Sequence, residues 1–150
     1  MNEQAAKQSR ELFHSGLYCA ESVLLAVAES RAIQSDLIPR IATGFCSGMA
    51  RTGGQCGAVS GAIMALGLAT GRQSPRESVE PTYVVVRELM KQFAERFGST
   101  NCRTLLGCDI ETAEGQKTFK ANHLIERCYV YAEGATQIAM SLLDERSSKT

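Results

Sequence analysis

The stretch GGQCGAVSGAIMALGL, residues 53–68, decides the fold of this chain. From Gly57 to about Ala69 nearly every residue is small or apolar. Gly57, Gly61 and Ala65 recur every four residues, so they line one side of a helix and let a neighbouring helix or a bound group approach closely. Outside a membrane this spacing mostly indicates tight packing, and the helix is too short to span a bilayer.

Helical periodicity, interrupted by glycine, continues on both sides of this stretch. The predicted helices run from about Asn2 to His14, Cys19 to Ala32, Ser35 to Cys46, Gly57 to Ala69, Ser74 or Ser78 to Phe97, Cys102 to Leu106 and Lys117 to Leu143. Almost no strand signal is present, so the sequence predicts an all-α, single-domain bundle of about five to six helices. The domain is expected to span residues 1–150, with the first helix in 2–16 and a frayed tail over 144–150.

Composition excludes several classes of protein. The chain has 150 residues, of which 44% are hydrophobic and 21% charged, as in an ordinary globular domain. Lys+Arg and Asp+Glu both number 16, and this balance gives no attraction to nucleic acid or to an anionic membrane. With no signal peptide or membrane-spanning segment in the sequence, we expect a cytoplasmic protein that neither binds nucleic acid nor inserts into a membrane. In the cytoplasm, cysteines are more often catalytic or metal-binding than paired in disulfides.

Three cysteines stand where a predicted helix begins: Cys19, Cys56 and Cys102. A helix N-terminus carries unpaired N–H groups and a partial positive charge, which should lower a thiol pKa. The placement therefore indicates sulfur chemistry, either redox or metal binding. Cys128 follows the apolar face of the last predicted helix and is expected to point inward, where it would complete a set of four.

The remaining cysteines and the histidines carry weaker signals. Cys46 follows an apolar run and is interpreted as core filling. Cys108 lies beside Asp109 in a polar loop, either as an exposed spectator or as a resolving thiol. His14 and His123 fall on mainly polar faces and are expected to be solvated.

Motifs of other chemistries are absent from the sequence. No GxSxG nucleophile elbow, phosphate-binding loop, GxGxxG fingerprint or HExxH pair is present. The chain also lacks a CxxCH haem attachment site. We therefore expect neither a nucleotide nor haem.

At these cysteines the chain resembles a family of small proteins assigned a redox role and named for the pattern C…GCAxxG…C…C. The central motif corresponds to QCGAVSG, in which Gln55 replaces the leading glycine. The resemblance extends from about Gly16 to Ala132. The four cysteines of the family fall on Cys19, Cys56, Cys102 and Cys128.

This resemblance implies a helical protein with a four-cysteine redox or metal centre, often encoded near transporter genes. The family is also similar to a domain of split-Soret cytochromes, in which such cysteines are associated with an iron centre. Because this chain has no haem attachment motif, haem is not carried over.

Three hypotheses follow for function. In the first, Cys19, Cys56, Cys102 and Cys128 hold an iron–sulfur cluster or zinc, backbone N–H groups near Gly54 and Gly57 contact the cofactor, and iron would transfer electrons to a partner protein. In the second, Cys56 attacks a disulfide and Cys102 or Cys19 resolves the product, with a thiol partner. In the third, the chain is a non-catalytic helical adaptor, as a monomer or a homodimer, whose cysteines only pack.

Overall fold

A computed structural model of the chain describes residues 2–148, and these residues form an all-helical fold. The elements are α1 (Asn2–His14), α2 (Cys19–Ser30), a 3₁₀ helix (Arg40–Phe45), α3 (Cys46–Arg51), α4 (Gly57–Thr70), α5 (Glu80–Phe97), α6 (Cys102–Leu106), α7 (Ala113–Ala121) and α8 (Ile125–Ser148). Within this range the β-pairing is limited to one isolated antiparallel bridge between Gln55 and Asn101. The all-α prediction is confirmed, whereas five to six helices understates the eight α-helices that residues 2–148 form.

The predicted helix from Lys117 to Leu143 is wrong as a single element. Helix α7 ends at Ala121 and α8 begins at Ile125, because His123 between them adopts a left-handed φ of 51°. A left-handed residue reverses the local path of the backbone and cannot continue a right-handed helix.

The C-terminal end of α8 lies beyond Leu143, the end that the sequence pattern predicted. The helix continues through residues 144–148, and fraying of the tail over 144–150 stays a prediction. Leu142 and Leu143 in its last turns are buried against the bundle. This burial stabilises the end of the helix, which local helix propensity alone would not do. Residues 149 and 150 lie outside the described part of the chain.

The segment predicted as a helix from Ser35 to Cys46 forms turns and the short 3₁₀ helix instead. Leu37 and Ile41, which the periodicity placed on an apolar face, are both more than half exposed. Only Ala42 of the 3₁₀ helix is buried, so the segment has little apolar contact to stabilise a full helix.

The core is built around α4, which packs against α2, α5 and α8. Gly61 is the point of closest approach, because a Cβ at this position would lie 2.5 Å from the backbone oxygen of Ala20 in α2. The largest side chains that the bundle buries completely are Phe93, Leu24, Leu66, Leu89, Met140 and Leu143. Close helix packing at Gly61 therefore brings the first turns of α2 and α4 side by side.

The short elements gather around the first turns of the long helices. The 3₁₀ helix and α3 contact both α2 and α4, and α3 also contacts α6. None of the helices within residues 2–148 combines the length and apolar character needed to cross a membrane.

Replacing Gly61 by alanine should destabilise the fold, because the added methyl group collides with the Ala20 carbonyl and forces α2 and α4 apart. Overpacking of this kind costs about 1–3 kcal/mol. The matched control is Gly67→Ala in the same helix, since no atom lies within 4 Å of the new methyl group. This control should raise the free energy of unfolding by up to about 1 kcal/mol. Chemical denaturation measures the free energy of unfolding of both variants. A change of the same sign in the two would contradict the close packing of α2 and α4 at Gly61.

Candidate active site

A cavity of about 440 Å³ opens where the N-terminal ends of α2 and α4 meet the first turns of α8. Its walls are mostly apolar and include side chains from α1, α3, α6 and α7. The four cysteines predicted to form one centre all line this cavity: Cys19, Cys56, Cys102 and Cys128. The structure therefore brings together four thiols that are widely separated along the chain.

Cys19 is the first residue of α2, and its sulfur lies against the backbone of α4. A Cβ on Gly57 would collide with Cys19 Sγ, so only glycine allows this approach. The backbone N–H of Ser47 donates a hydrogen bond to Cys19 Sγ at 3.4 Å. The sulfur is thus held at the cavity wall by a fixed donor.

Cys56 and Cys102 are positioned by the small antiparallel bridge. Cys56 N–H donates to Thr100 O at 2.7 Å, and Cys102 N–H donates to Gly54 O at 2.8 Å. Because side chains alternate across extended backbone, Cys56 and Cys102 project to the same face of the bridge. The Asn101 side chain then caps α6 by accepting the N–H of Thr104 at 2.9 Å.

Cys128 lines the cavity, whereas Cys108 packs nearby without lining it. Both are partly buried and pack against the cluster that contains Cys102 and Leu106. Cys108 is therefore not a fully exposed spectator. Its role as a resolving thiol stays a prediction.

The pKa values of these thiols differ from the sequence prediction. Burial raises the pKa of Cys56 to about 11, although the backbone N–H groups of Ala58 and Val59 act in the opposite direction. Burial also raises the pKa of Cys102 and that of Cys128, the latter to about 12. The expectation that a helix N-terminus would lower the thiol pKa is wrong for Cys56 and Cys102, because loss of hydration outweighs the helix-end charge.

Helix α3 is a left-handed turn, a feature that the sequence did not predict. The φ values of Ser47, Gly48, Met49 and Ala50 lie between 56° and 66°, and that of Arg51 is 70°. Each residue other than glycine in this conformation costs roughly 1–2 kcal/mol. Strained backbone of this kind is characteristic of functional sites, and the turn forms one wall of the cavity.

Close packing explains why the second residue of this turn is glycine. A Cβ on Gly48 would lie 2.5 Å from Cys102 Cβ and 2.9 Å from Cys102 Sγ. The turn therefore contacts Cys19 through Ser47 and Cys102 through Gly48. It fixes the positions of two cavity thiols relative to each other.

Three basic side chains line the same cavity: Arg51, Lys120 and His123. None of them forms a salt bridge with a carboxylate of residues 2–148. His123 was expected to be solvated, and it is both exposed and part of the cavity wall. Sequence reasoning missed this basic group, since its members lie on three separate elements with no common motif.

The other predicted residues have clear positions. Gly57 lines the cavity, whereas Gly54 acts as the backbone acceptor for Cys102. His14 stacks on Tyr129 at a distance of 4.5 Å between ring centroids and does not line the cavity. Cys46, interpreted as core filling, is buried as expected, with 4% of its surface exposed.

The metal centre predicted from the sequence requires several ligands that converge on one point. Across residues 2–148, no three side chains of histidine, cysteine, aspartate or glutamate come together in an arrangement that could hold a metal ion. Tetrahedral zinc and iron–sulfur clusters require four converging ligands. The thiols share a cavity without forming such a set, so the metal centre is not confirmed.

Comparison with known proteins places the chain in a family. The family model described as "Putative redox-active protein (C_GCAxxG_C_C)" matches residues 17–142. The chain belongs to this family. An uncharacterized protein of Archaeoglobus fulgidus is 28% identical to it over 156 aligned positions, which cover 97% of each chain. No solved structure gives a significant match. Membership of the C_GCAxxG_C_C family confirms the resemblance seen in the sequence.

Replacing Ala50 by glycine tests the left-handed turn of this C_GCAxxG_C_C protein. Relief of about 1–2 kcal/mol of backbone strain exceeds the entropic cost of a glycine, about 0.5–1 kcal/mol. The free energy of unfolding should therefore rise by up to about 1 kcal/mol. Ala69, exposed near the end of the right-handed helix α4, provides the control, and Ala69→Gly should lower that free energy. If Ala50→Gly is as destabilising as the control, the backbone at Ala50 is not left-handed.

Proposed function

We propose that this chain is a thiol–disulfide oxidoreductase that admits a disulfide to the cavity beside α4. The observation that supports the proposal is the convergence of four thiols on one mostly apolar cavity. Membership of a redox-active family is consistent with this chemistry. Since Cys56 and Cys102 project to one face of the same bridge, they form the reacting pair.

The reaction transfers two electrons from the cysteine pair to the substrate. The thiolate of Cys56 attacks one sulfur of the disulfide, forming a mixed disulfide and releasing the first substrate thiolate. The thiolate of Cys102 then attacks Cys56 Sγ, forming the Cys56–Cys102 disulfide and releasing the second substrate thiolate. The cysteine protons pass to solvent and return to the two departing thiolates as they become thiols.

Cys56 is assigned the attacking role because of the donors around its sulfur. The N–H groups of Ala58 and Val59, in the first turn of α4, face the sulfur and favour its thiolate form. Cys56 is only 7% exposed, so its route to a substrate is through the cavity that it lines. Cys102, 8% exposed, faces the same space.

The basic side chains suggest the class of substrate. Arg51 and Lys120 line the cavity with no carboxylate partner among the described residues. Positive charge at the wall of an apolar cavity attracts anions and raises their local concentration. We therefore assign an anionic disulfide, of which glutathione disulfide is a convenient probe.

The four-thiolate metal centre and its role in electron transfer remain the alternative. A change in side-chain orientation would be required to bring the four sulfurs within bonding distance of one metal ion. Iron or zinc retained in stoichiometric amounts after anaerobic purification, and lost in Cys128→Ser, would favour that centre over disulfide exchange.

Exchange at Cys56 should accelerate with pH. With a pKa of about 11, the thiolate fraction rises about tenfold per pH unit between pH 7 and pH 10. Reduced protein is mixed with glutathione disulfide, quenched with N-ethylmaleimide and digested with trypsin. Each of the six cysteines falls in a different tryptic peptide, so mass spectrometry identifies every linkage.

Two variants separate the steps of this reaction. In Cys102→Ser, Cys56 should remain linked to glutathione, because the resolving thiol is missing. In Cys56→Ser, Cys102 should remain a free thiol. A Cys56 that stays unmodified at pH 10 in the wild-type protein would overturn the assignment.

Replacing Lys120 by glutamine should slow the reaction of Cys56 with glutathione disulfide. A single exposed charge changes the rate by about two- to fivefold, and added salt reduces the difference. The uncharged 2-hydroxyethyl disulfide should react at an unchanged rate. Lys117, exposed on the same helix but not at the cavity wall, provides the control variant Lys117→Gln. Equal losses with both disulfides would show that Lys120 does not recognise charge.

A further inference from the structure

Cys19, at the cavity wall, and Cys46, behind it, lie next to each other, away from the β-bridge that positions Cys56 and Cys102. A Cβ on Gly57 would collide with Cys19 Sγ and would lie 3.3 Å from Cys46 Cα, so both atoms adjoin one small space. The residue after Cys46 is Ser47, whose N–H donates to Cys19 Sγ. The sulfur of Cys19 is thus held against the backbone that carries Cys46.

The side chain of Cys46 is fixed in this position by two acceptors. Its thiol lies 3.6 Å from Glu21 Oε1 and 3.7 Å from Ala42 O. Glu21 is itself held, since it accepts the hydroxyl of Thr43 at 2.8 Å and the N–H of Tyr18 at 3.0 Å. Cys46 therefore has little freedom to turn away from Cys19.

The two thiols differ in access. Cys19 is partly exposed and lines the cavity, whereas Cys46 is 4% exposed and lies behind it. A hydrogen bond with Cys19, followed by burial, raises the pKa of Cys46. An incoming disulfide can therefore reach Cys19 and cannot reach Cys46.

We propose that Cys19 and Cys46 form a second dithiol couple, in which Cys19 takes up a disulfide from the cavity and Cys46 resolves it. Cys46, the second member of this couple, is not one of the four cysteines of the family pattern. The proposal rests on the proposed function for the class of substrate, an anionic disulfide, but it uses a separate pair of sulfurs.

The steps balance without any further reactant. Cys19 thiolate attacks the disulfide, which forms a mixed disulfide and releases one substrate thiolate. Cys46 passes its proton to the adjacent Glu21 carboxylate and attacks Cys19 Sγ, which releases the second substrate thiolate. That thiolate is protonated from Glu21 through solvent in the cavity, and the cysteine pair has supplied two electrons.

The left-handed turn places the hydrogen-bond donor to Cys19 Sγ directly after the resolving cysteine, Cys46. Helix α3 begins at Cys46, so the first N–H after this residue points towards Cys19 Sγ. The same N–H can donate to Cys19 Sγ while this sulfur attacks the disulfide as a thiolate. The strained turn thus positions the donor and the resolving cysteine together.

Peptide mapping after exposure to glutathione disulfide tests this proposal. In the wild-type protein, the tryptic peptides 11–31 and 41–51 should be linked through Cys19 and Cys46. In Cys46→Ser, glutathione should remain on Cys19 at about ten times the wild-type level or more, because nothing resolves it. The serine hydroxyl can use the same acceptors, Glu21 and Ala42, and circular dichroism verifies the fold.

Cys108→Ser is the matched control, since Cys108 also lies outside the family pattern, and it should leave the Cys19–Cys46 linkage unchanged. A Cys19 that links to another cysteine, or an unchanged level of glutathione on Cys19 in Cys46→Ser, would overturn the proposal. The same digest reports the Cys56–Cys102 linkage separately. Loss of one linkage with the other present therefore identifies which of the two proposals fails.

Discussion

The close approach of α4 to α2 is the constraint on which the rest of the structure depends. Gly61 lies against the backbone of Ala20, and Gly57 lies against Cys19 Sγ, so neither position has room for a side chain. With the two helices in contact, their first turns stand side by side, and the segment between them folds back over that end. The cavity and the positions of Cys19, Cys46 and Cys56 all follow from this contact.

The chemistry of the cavity reflects a competition between burial and helix ends. The first turn of α4 directs N–H groups at Cys56 Sγ, which favours the thiolate. Packing against apolar side chains removes water from the same sulfur, and this loss of hydration raises the pKa of Cys56 by more than the N–H groups lower it. The raised pKa values of Cys56 and Cys128 keep these thiols mostly protonated at neutral pH. Cys19 is partly exposed and lines the cavity, and its sulfur accepts the N–H of Ser47.

Particular residues show how far sequence reasoning reaches. The starts of α2 and α6 and the core helix α4 were predicted from glycine, cap residues and periodicity, because these signals are local. The left-handed turn after Cys46 was not predicted, since only Gly48 among its residues favours that conformation. The break at His123 was missed for the same reason, because a helical pattern continues across it. Arg51 and Lys120 meet at the cavity only through the packing of separate elements.

By itself, the sequence determined the all-helical class, the family and the four cysteines of interest, because each depends on residue type and spacing along the chain. Only the tertiary structure decided which sulfurs are neighbours. It placed Cys56 and Cys102 on one face of the Gln55–Asn101 bridge and brought Cys19 next to Cys46, a cysteine expected to serve only as packing. It also raised thiol pKa values that helix ends were expected to lower. The physical reason is that sulfur contacts and loss of hydration depend on how distant segments pack, and no local pattern encodes that packing.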